Sequence, residues 1–91
     1  MPRYLVERTF PDGLNIPQNA VGARICRTVV DKNAHDGVTW IHSYVNPGRT
    51  KTFCIYDAPT ADAIRHAAKQ NSLPVDNITE VSVLDPYFYH V

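Results

Sequence analysis

The chain has no net charge: nine Lys and Arg offset nine Asp and Glu. Without a basic surplus there is no electrostatic case for nucleic acid or an anionic membrane, because both are gripped chiefly through their phosphates. A chain near neutrality also repels its own copies weakly, which favours association, and a homodimer is expected. Long apolar runs are missing too, and none approaches the roughly 20 residues that span a bilayer. The opening Met1-Pro-Arg-Tyr-Leu-Val-Glu-Arg8 has charges at positions 3, 7 and 8, unlike a secretory signal. A cytoplasmic protein is the expectation. Cysteine is scarce. Cys26 and Cys54 show no CxxC or CxxH spacing, which argues against a zinc finger and suits two reduced free thiols. The four glycines form neither a GxGxxG nor a GKT/S loop. There is no HExxH, no visible pair of catalytic carboxylates and no Ser/His/Asp order, so no catalytic residue is assigned. Repeats, linkers and low-complexity runs are absent as well. The 91 residues read as a single domain, 1–91, long enough for one small core.

What is present is a hairpin. Two runs rich in β-branched and aromatic residues, Val38–Val45 and Lys51–Tyr56, flank Asn46-Pro-Gly-Arg49. If Pro47-Gly-Arg49 makes a three-residue loop, Trp40, His42 and Tyr44 share a face with Thr52, Cys54 and Tyr56. Ile41, Ser43 and Val45 then share the other with Phe53 and Ile55. A two-residue loop would set Phe53 and Ile55 beside His42 instead. The first register is preferred because it separates aliphatic from amphipathic side chains. Upstream, Arg3–Phe10 reads as a strand with Tyr4, Val6 and Arg8 on one side. A helix follows, with Asn15 as cap, Gln18 completing the capping box and Pro17 in the first turn. Its apolar stripe is Val21, Ile25 and Val29, joined by Cys26 and Val30, and it ends near Asn33. A second helix starts at the Thr60 cap, buries Ile64, Ala67 and Ala68, and is stopped by Pro74. Asn77–Leu84 is a fourth strand with Val81 and Val83 on its apolar face. Tyr87–Val91 is either a short fifth strand or an ordered tail. The order β-α-β-β-α-β predicts an α+β ferredoxin-like sandwich, a four-stranded antiparallel sheet with both helices on one face. The other face, holding Trp40, His42 and Tyr44, is left for a second subunit or a pocket.

Several segments resemble a family of small bacterial proteins once catalogued as a domain of unknown function and now described through a nickel-binding member. They are Tyr4-Leu-Val-Glu-Arg8, Trp40-Ile-His-Ser-Tyr44, Lys51-Thr-Phe-Cys-Ile-Tyr56, Ala58-Pro59, Ala63-Ile-Arg-His-Ala67 and Leu73-Pro-Val-Asp-Asn-Ile-Thr-Glu-Val81. The resemblance implies a ferredoxin-like fold, a dimer, and nickel bound at the surface for sequestration.

The side chains able to do chemistry are few. His42 is a candidate metal ligand or general base, near Tyr44, Cys54 and either Glu7 or Arg8; its alternative is an inert interface histidine. Asp62 and His66 are four apart on one helix, so a carboxylate and an imidazole are neighbours, as half a metal site or as a solvated ion pair. His42, His66, Asp62 and Glu7 are the candidate ligands for a divalent metal, nickel above all. His35 and Asp36 read as solvated loop residues, and His90 as a tail residue able to complete a site across a dimer. Cys54 would be a reactive thiolate only with His42 as partner, and Cys26 reads as core. Glu7 and Arg8 point to opposite faces, so one charge must enter the helix side, as an ion pair with Arg24 or Arg65 among the candidates. Trp40, Tyr44 and Tyr56, with Cys54 and Arg8, line an interface or a small-molecule pocket. Three functions stay open at this point: a dimeric nickel buffer, a binder or enzyme of the dimeric α+β barrel type with its pocket around His42, and a dimerisation module.

Overall fold

Strict alternation builds the first element. In β1 (Arg3–Thr9) Tyr4, Val6 and Arg8 are buried while Arg3, Leu5 and Glu7 stay half-buried on the opposite face, the period-two pattern of a pleated strand. The structure is a computed structural model and describes residues 1–16 and 18–87. After α1 (Ala20–Ala34) come β2 (Thr39–Val45), β3 (Lys51–Asp57), α2 (Ala61–Gln70) and β4 (Asn77–Val81). All pairings are antiparallel, and the sheet order is β2-β3-β1-β4. This is the expected ferredoxin-like α+β arrangement. Tyr4, Val6, Cys54 and Tyr56 meet Val38, Ala58, Ile64 and Ala67 in the core. The alanines of α2 let that helix lie close against the sheet. Its cap is the expected one: Thr60 Oγ1 accepts from Ala63 N at 3.1 Å.

The hairpin departs from the preferred register, and Asn46 is the reason. Its Oδ1 accepts from Thr50 N at 2.9 Å and Lys51 N at 3.0 Å, and its Nδ2 donates to Thr50 Oγ1 at 3.1 Å. This side chain closes a four-residue turn over 47–50, with Arg49 held in the left-handed region at φ 55°. One more loop residue moves every partner by one. Val45 pairs with Thr52, Tyr44 with Phe53, Ser43 with Cys54 and His42 with Ile55, until a bulge at Ile41 restores Trp40 opposite Tyr56. Trp40 and Ser43 therefore face the helices together, joined by Trp40 Nε1 donating to Ser43 Oγ at 2.8 Å. His42 and Tyr44 face the other way. The expected common face of Trp40, His42, Tyr44, Cys54 and Tyr56 is not formed.

Helix α1 also starts later than expected. Asn19, not Asn15, is its cap, accepting from Val21 N at 2.9 Å and Gly22 N at 3.3 Å. The residues before it are tied to the hairpin: Phe10 N donates to Thr50 O and Leu14 N to Arg49 O, both at 2.6 Å, and Arg49 Nε donates to Leu14 O at 3.1 Å. Backbone committed to those bonds cannot enter a helix. The apolar stripe of α1 is not core. Val21, Ile25 and Val30 are exposed, Cys26 and Val29 half-buried, and Gly22 and Asn33 are the buried positions. α1 approaches α2 and the edge strand β2 most closely, and Asn71 Nδ2 donates to Asn33 Oδ1 at 3.1 Å to link the two helices. β4 ends at Val81 because its partner β1 begins at Arg3. Ile78, opposite Val6, packs on the core, whereas Val81 lies on the other face and Val83 is exposed. Of the suggested fifth strand, Tyr87 stands in a turn and residues 88–91 lie outside the described residues.

Ile64 is 1% exposed and anchors α2 to the sheet. Ile64→Ala should lower unfolding stability in urea by about 2–5 kcal/mol, while Val21→Ala on the exposed stripe should stay within about 0.5 kcal/mol. Equal effects at both positions would contradict this packing.

Candidate functional site

Three places bring polar chemistry together. The first is at the foot of the helices. The turn after α1 carries Asp36 to α2, where His66 Nδ1 lies 2.7 Å from Asp36 Oδ1. The carboxylate is mostly covered, and its Oδ2 is buried without a hydrogen-bond partner among the described residues. The His66 side chain is 59% exposed. The expected Asp62–His66 pair is not formed. Asp62 Oδ1 instead accepts from Arg65 Nη1 at 2.8 Å on the exposed helix surface, so Asp62 and His66 have separate partners. Sequence reasoning passed over Asp36 as a solvated loop residue. Thirty residues separate it from His66, and no spacing signal connects them.

The second place is the uncovered face of the sheet. His42 is exposed there and meets Tyr44 edge-on, with ring centroids 5.2 Å apart at 86°. Glu7 shares that face and is occupied. Its Oε2 accepts from Asn77 Nδ2 at 3.2 Å and its Oε1 lies 3.9 Å from Lys51 Nζ. β3 separates the strands of Glu7 and His42, so they stand about two strand spacings, roughly 10 Å, apart. At the rim Arg3 holds Asp57 through two hydrogen bonds of 2.9 and 3.2 Å. That contact keeps the Asp57 carboxyl below its ordinary range and the Arg3 guanidinium above its own.

The third place is a cleft of about 870 Å³ between α1 and the helix-facing side of the sheet. It exists because α1 stands over the sheet without filling the space beneath it. Trp40, Cys54, Tyr56 and Arg8, expected beside His42, line this cleft and lie across the sheet from it. The inward charge of the Glu7–Arg8 pair is Arg8, 2% exposed, so the anticipated ion pair with Arg24 or Arg65, which needed Glu7 on this side, is not formed; Glu7 lies beside Lys51 and Arg65 beside Asp62. The Nη1 of Arg8 donates to Tyr56 Oη at 3.4 Å, its guanidinium lies 5.5 Å from the Tyr56 ring centroid, and its Nε is buried without a partner among the described residues. Burial pushes the Tyr56 phenol up to about 12, against the opposing pull of the Arg8 charge. Cys54 bonds to Thr52 Oγ1 at 3.6 Å and cannot reach His42 through the sheet. Cys26 lines the cleft wall rather than a closed core.

The four expected metal ligands are thus spread over two faces, and the described residues hold no group of three or more His, Cys, Asp or Glu able to enclose an ion. No helix among them is long and apolar enough to cross a membrane. Fold and sites together define a small ferredoxin-like α+β protein with an imidazole–carboxylate pair at its surface. Residues 4–81 match the family described as nickel responsive protein SCO4226-like, and the chain belongs to that family. The crystal structure of SCO4226 from Streptomyces coelicolor A3(2) is similar to it at a TM-score of 0.71 and 13% sequence identity. The match covers 91% of this chain and 99% of that one, and at that identity it speaks for the fold alone. No curated protein matches the chain.

Tyr56 gives a pH prediction. A phenol raised from about 10 to about 12 on folding keeps its proton while the unfolded chain loses it. Its share of stability is full below about pH 10 and is lost as pH rises towards 12, by about 2–3 kcal/mol. Urea unfolding across that range should show this loss, and Tyr56→Phe should flatten it. An unchanged slope in the variant would place the titration elsewhere.

Proposed function

We propose that this protein binds nickel as cargo, through the exposed His66 imidazole, with Asp36 as the carboxylate that orients the ring. The carrying observation is the 2.7 Å contact between His66 Nδ1 and Asp36 Oδ1. With Nδ1 engaged, the neutral imidazole presents Nε2 for a metal, and a carboxylate behind a liganding histidine sets the tautomer and the ring's orientation. Imidazole suits nickel, and the family is described as nickel-responsive. The described residues of one chain supply too few donors to enclose the ion. The remaining positions fall to water and to a second copy, consistent with a surface buffer that takes up and releases the ion rather than a buried centre.

A homodimer across the uncovered sheet face completes the proposal. Leu5, Phe53 and Ile55 are half-buried there and Tyr44 is 63% exposed, an apolar surface of the kind that subunits cover. An isologous dimer would double His42 and Glu7 at one interface. Two free thiols, Cys26 and Cys54, fit the cytoplasm as its place of action.

Calorimetric titration of the tag-free protein with nickel tests the metal site. His66→Ala should abolish binding, Asp36→Asn should weaken it about 10–100-fold, and His42→Ala should leave this site unchanged. Wild-type affinity in His66→Ala would sink the assignment. Sedimentation tests the dimer: Phe53→Glu should convert it to a monomer, and a wild-type protein that sediments as a monomer would reject the interface.

A further inference from the structure

The cleft under α1 is independent of the nickel proposal and has its own chemistry. Its walls are mostly apolar, with Phe10, Leu14, Ile25, Val29, Trp40 and Leu73 among them. Its charged lining residues are Arg8 and Arg49, both cationic, with no acidic side chain on the described walls. None of the ion pairs among the described residues includes either arginine. Arg49 is at the mouth, fixed by bonds to Leu14 O and Asn46 O. Arg8 is in the interior, 2% exposed, with a single long hydrogen bond to Tyr56 Oη and a buried Nε that has no partner among the described residues. A guanidinium has five N–H donors and stays charged at any physiological pH. Burying one without a counterion costs folding free energy unless something else neutralises it. The cation–π contact with Tyr56 offsets a part of that cost.

We infer that the cleft is a binding site for an apolar monocarboxylate, a molecule of the fatty-acid or aryl-alkanoic-acid class. Its carboxylate pairs with Arg8 at the inner end, and its hydrocarbon body lies between α1 and the sheet. The volume falls within the roughly 300–1,000 Å³ typical of small-molecule sites, and an apolar wall with a few convergent polar groups is the usual make-up of such a site. The planar guanidinium matches a carboxylate through two parallel hydrogen bonds. The exposure of Ile25 and the partial exposure of Val29 follow from the same design: the side of α1 that carries them serves as the lid of the cleft. Cys26 sits in that lid, half-buried, and reports occupancy.

The experiment titrates the wild-type protein with decanoate and with decanol, an uncharged probe of the same length, by calorimetry. Decanoate should bind one per chain and about tenfold or more tighter than decanol, the worth of a charge-assisted hydrogen-bonded pair. It should also slow alkylation of Cys26 by iodoacetamide. Arg8→Met should remove the preference for the carboxylate, and Cys26→Trp, which fills the cleft from the α1 side and leaves Arg8 in place, should abolish binding of both probes. Equal affinity for decanoate and decanol, no binding of decanoate at millimolar concentration, or undiminished binding by Cys26→Trp would each overturn the inference. If Arg8→Met does not fold, the two-probe comparison and Cys26→Trp decide it on folded protein. Nickel binding by the His66 site should be the same with the cleft empty or filled.

Discussion

A guanidinium in the middle of the sheet governs much of this structure. Arg8 is on the central strand, in phase with Tyr4 and Val6, so the alternation that buries those two buries it as well. No register of β1 can turn Arg8 out to water without exposing Val6. The apolar core forms around Tyr4, Val6, Cys54, Tyr56, Ile64 and Ala67. Beside Arg8 the two layers part instead, and the cleft opens between them. Helix α1 meets α2 and β2 and leaves its apolar stripe half in solvent.

The sheet itself works as a partition. The bulge at Ile41 sends Trp40 to the helix side and His42 to the open side within three residues. The polar side chains of the sheet then divide between two separate regions. His42, Tyr44 and Glu7 share the uncovered face, while Arg8, Cys54 and Tyr56 share the cleft. A single pocket using both sets is ruled out by the thickness of the sheet. The third region, His66 with Asp36, lies outside this partition, where the turn closing α1 reaches α2.

Much of the architecture was legible. The six elements, their order, the alternation in β1 and the buried side of α2 follow from period-two and period-3.6 patterns that neighbouring residues carry by themselves; the face of β3 came out inverted, because Cys54 and Tyr56 turn to the helices and Phe53 and Ile55 to the open side. Thr60 was readable as a cap because its partner is three residues away. The start of α1 was not, because the bonds that delay it run from Phe10 and Leu14 to Thr50 and Arg49, some 35 to 40 residues on. The hairpin register depended on one additional turn residue and one bulge. Asn46 makes the former through its side chain, which composition reports as a turn former without giving the turn's length.

The sequence by itself determined the ferredoxin-like order, the helix-packing face of α2, and the burial of one charge of the Glu7–Arg8 pair. It also carried the likeness to a nickel-responsive family that residues 4–81 confirm. These are properties of short segments, and local sterics and hydrophobic spacing set them. Tertiary structure alone decided that His66 meets Asp36 rather than Asp62, that His42 and Cys54 lie on opposite sides of the sheet, and that a cleft stands over Arg8. Each depends on segments far apart in the chain brought together with a particular offset. A one-residue shift or a helix lifted off its sheet leaves the local patterns unchanged while rearranging every long-range neighbour.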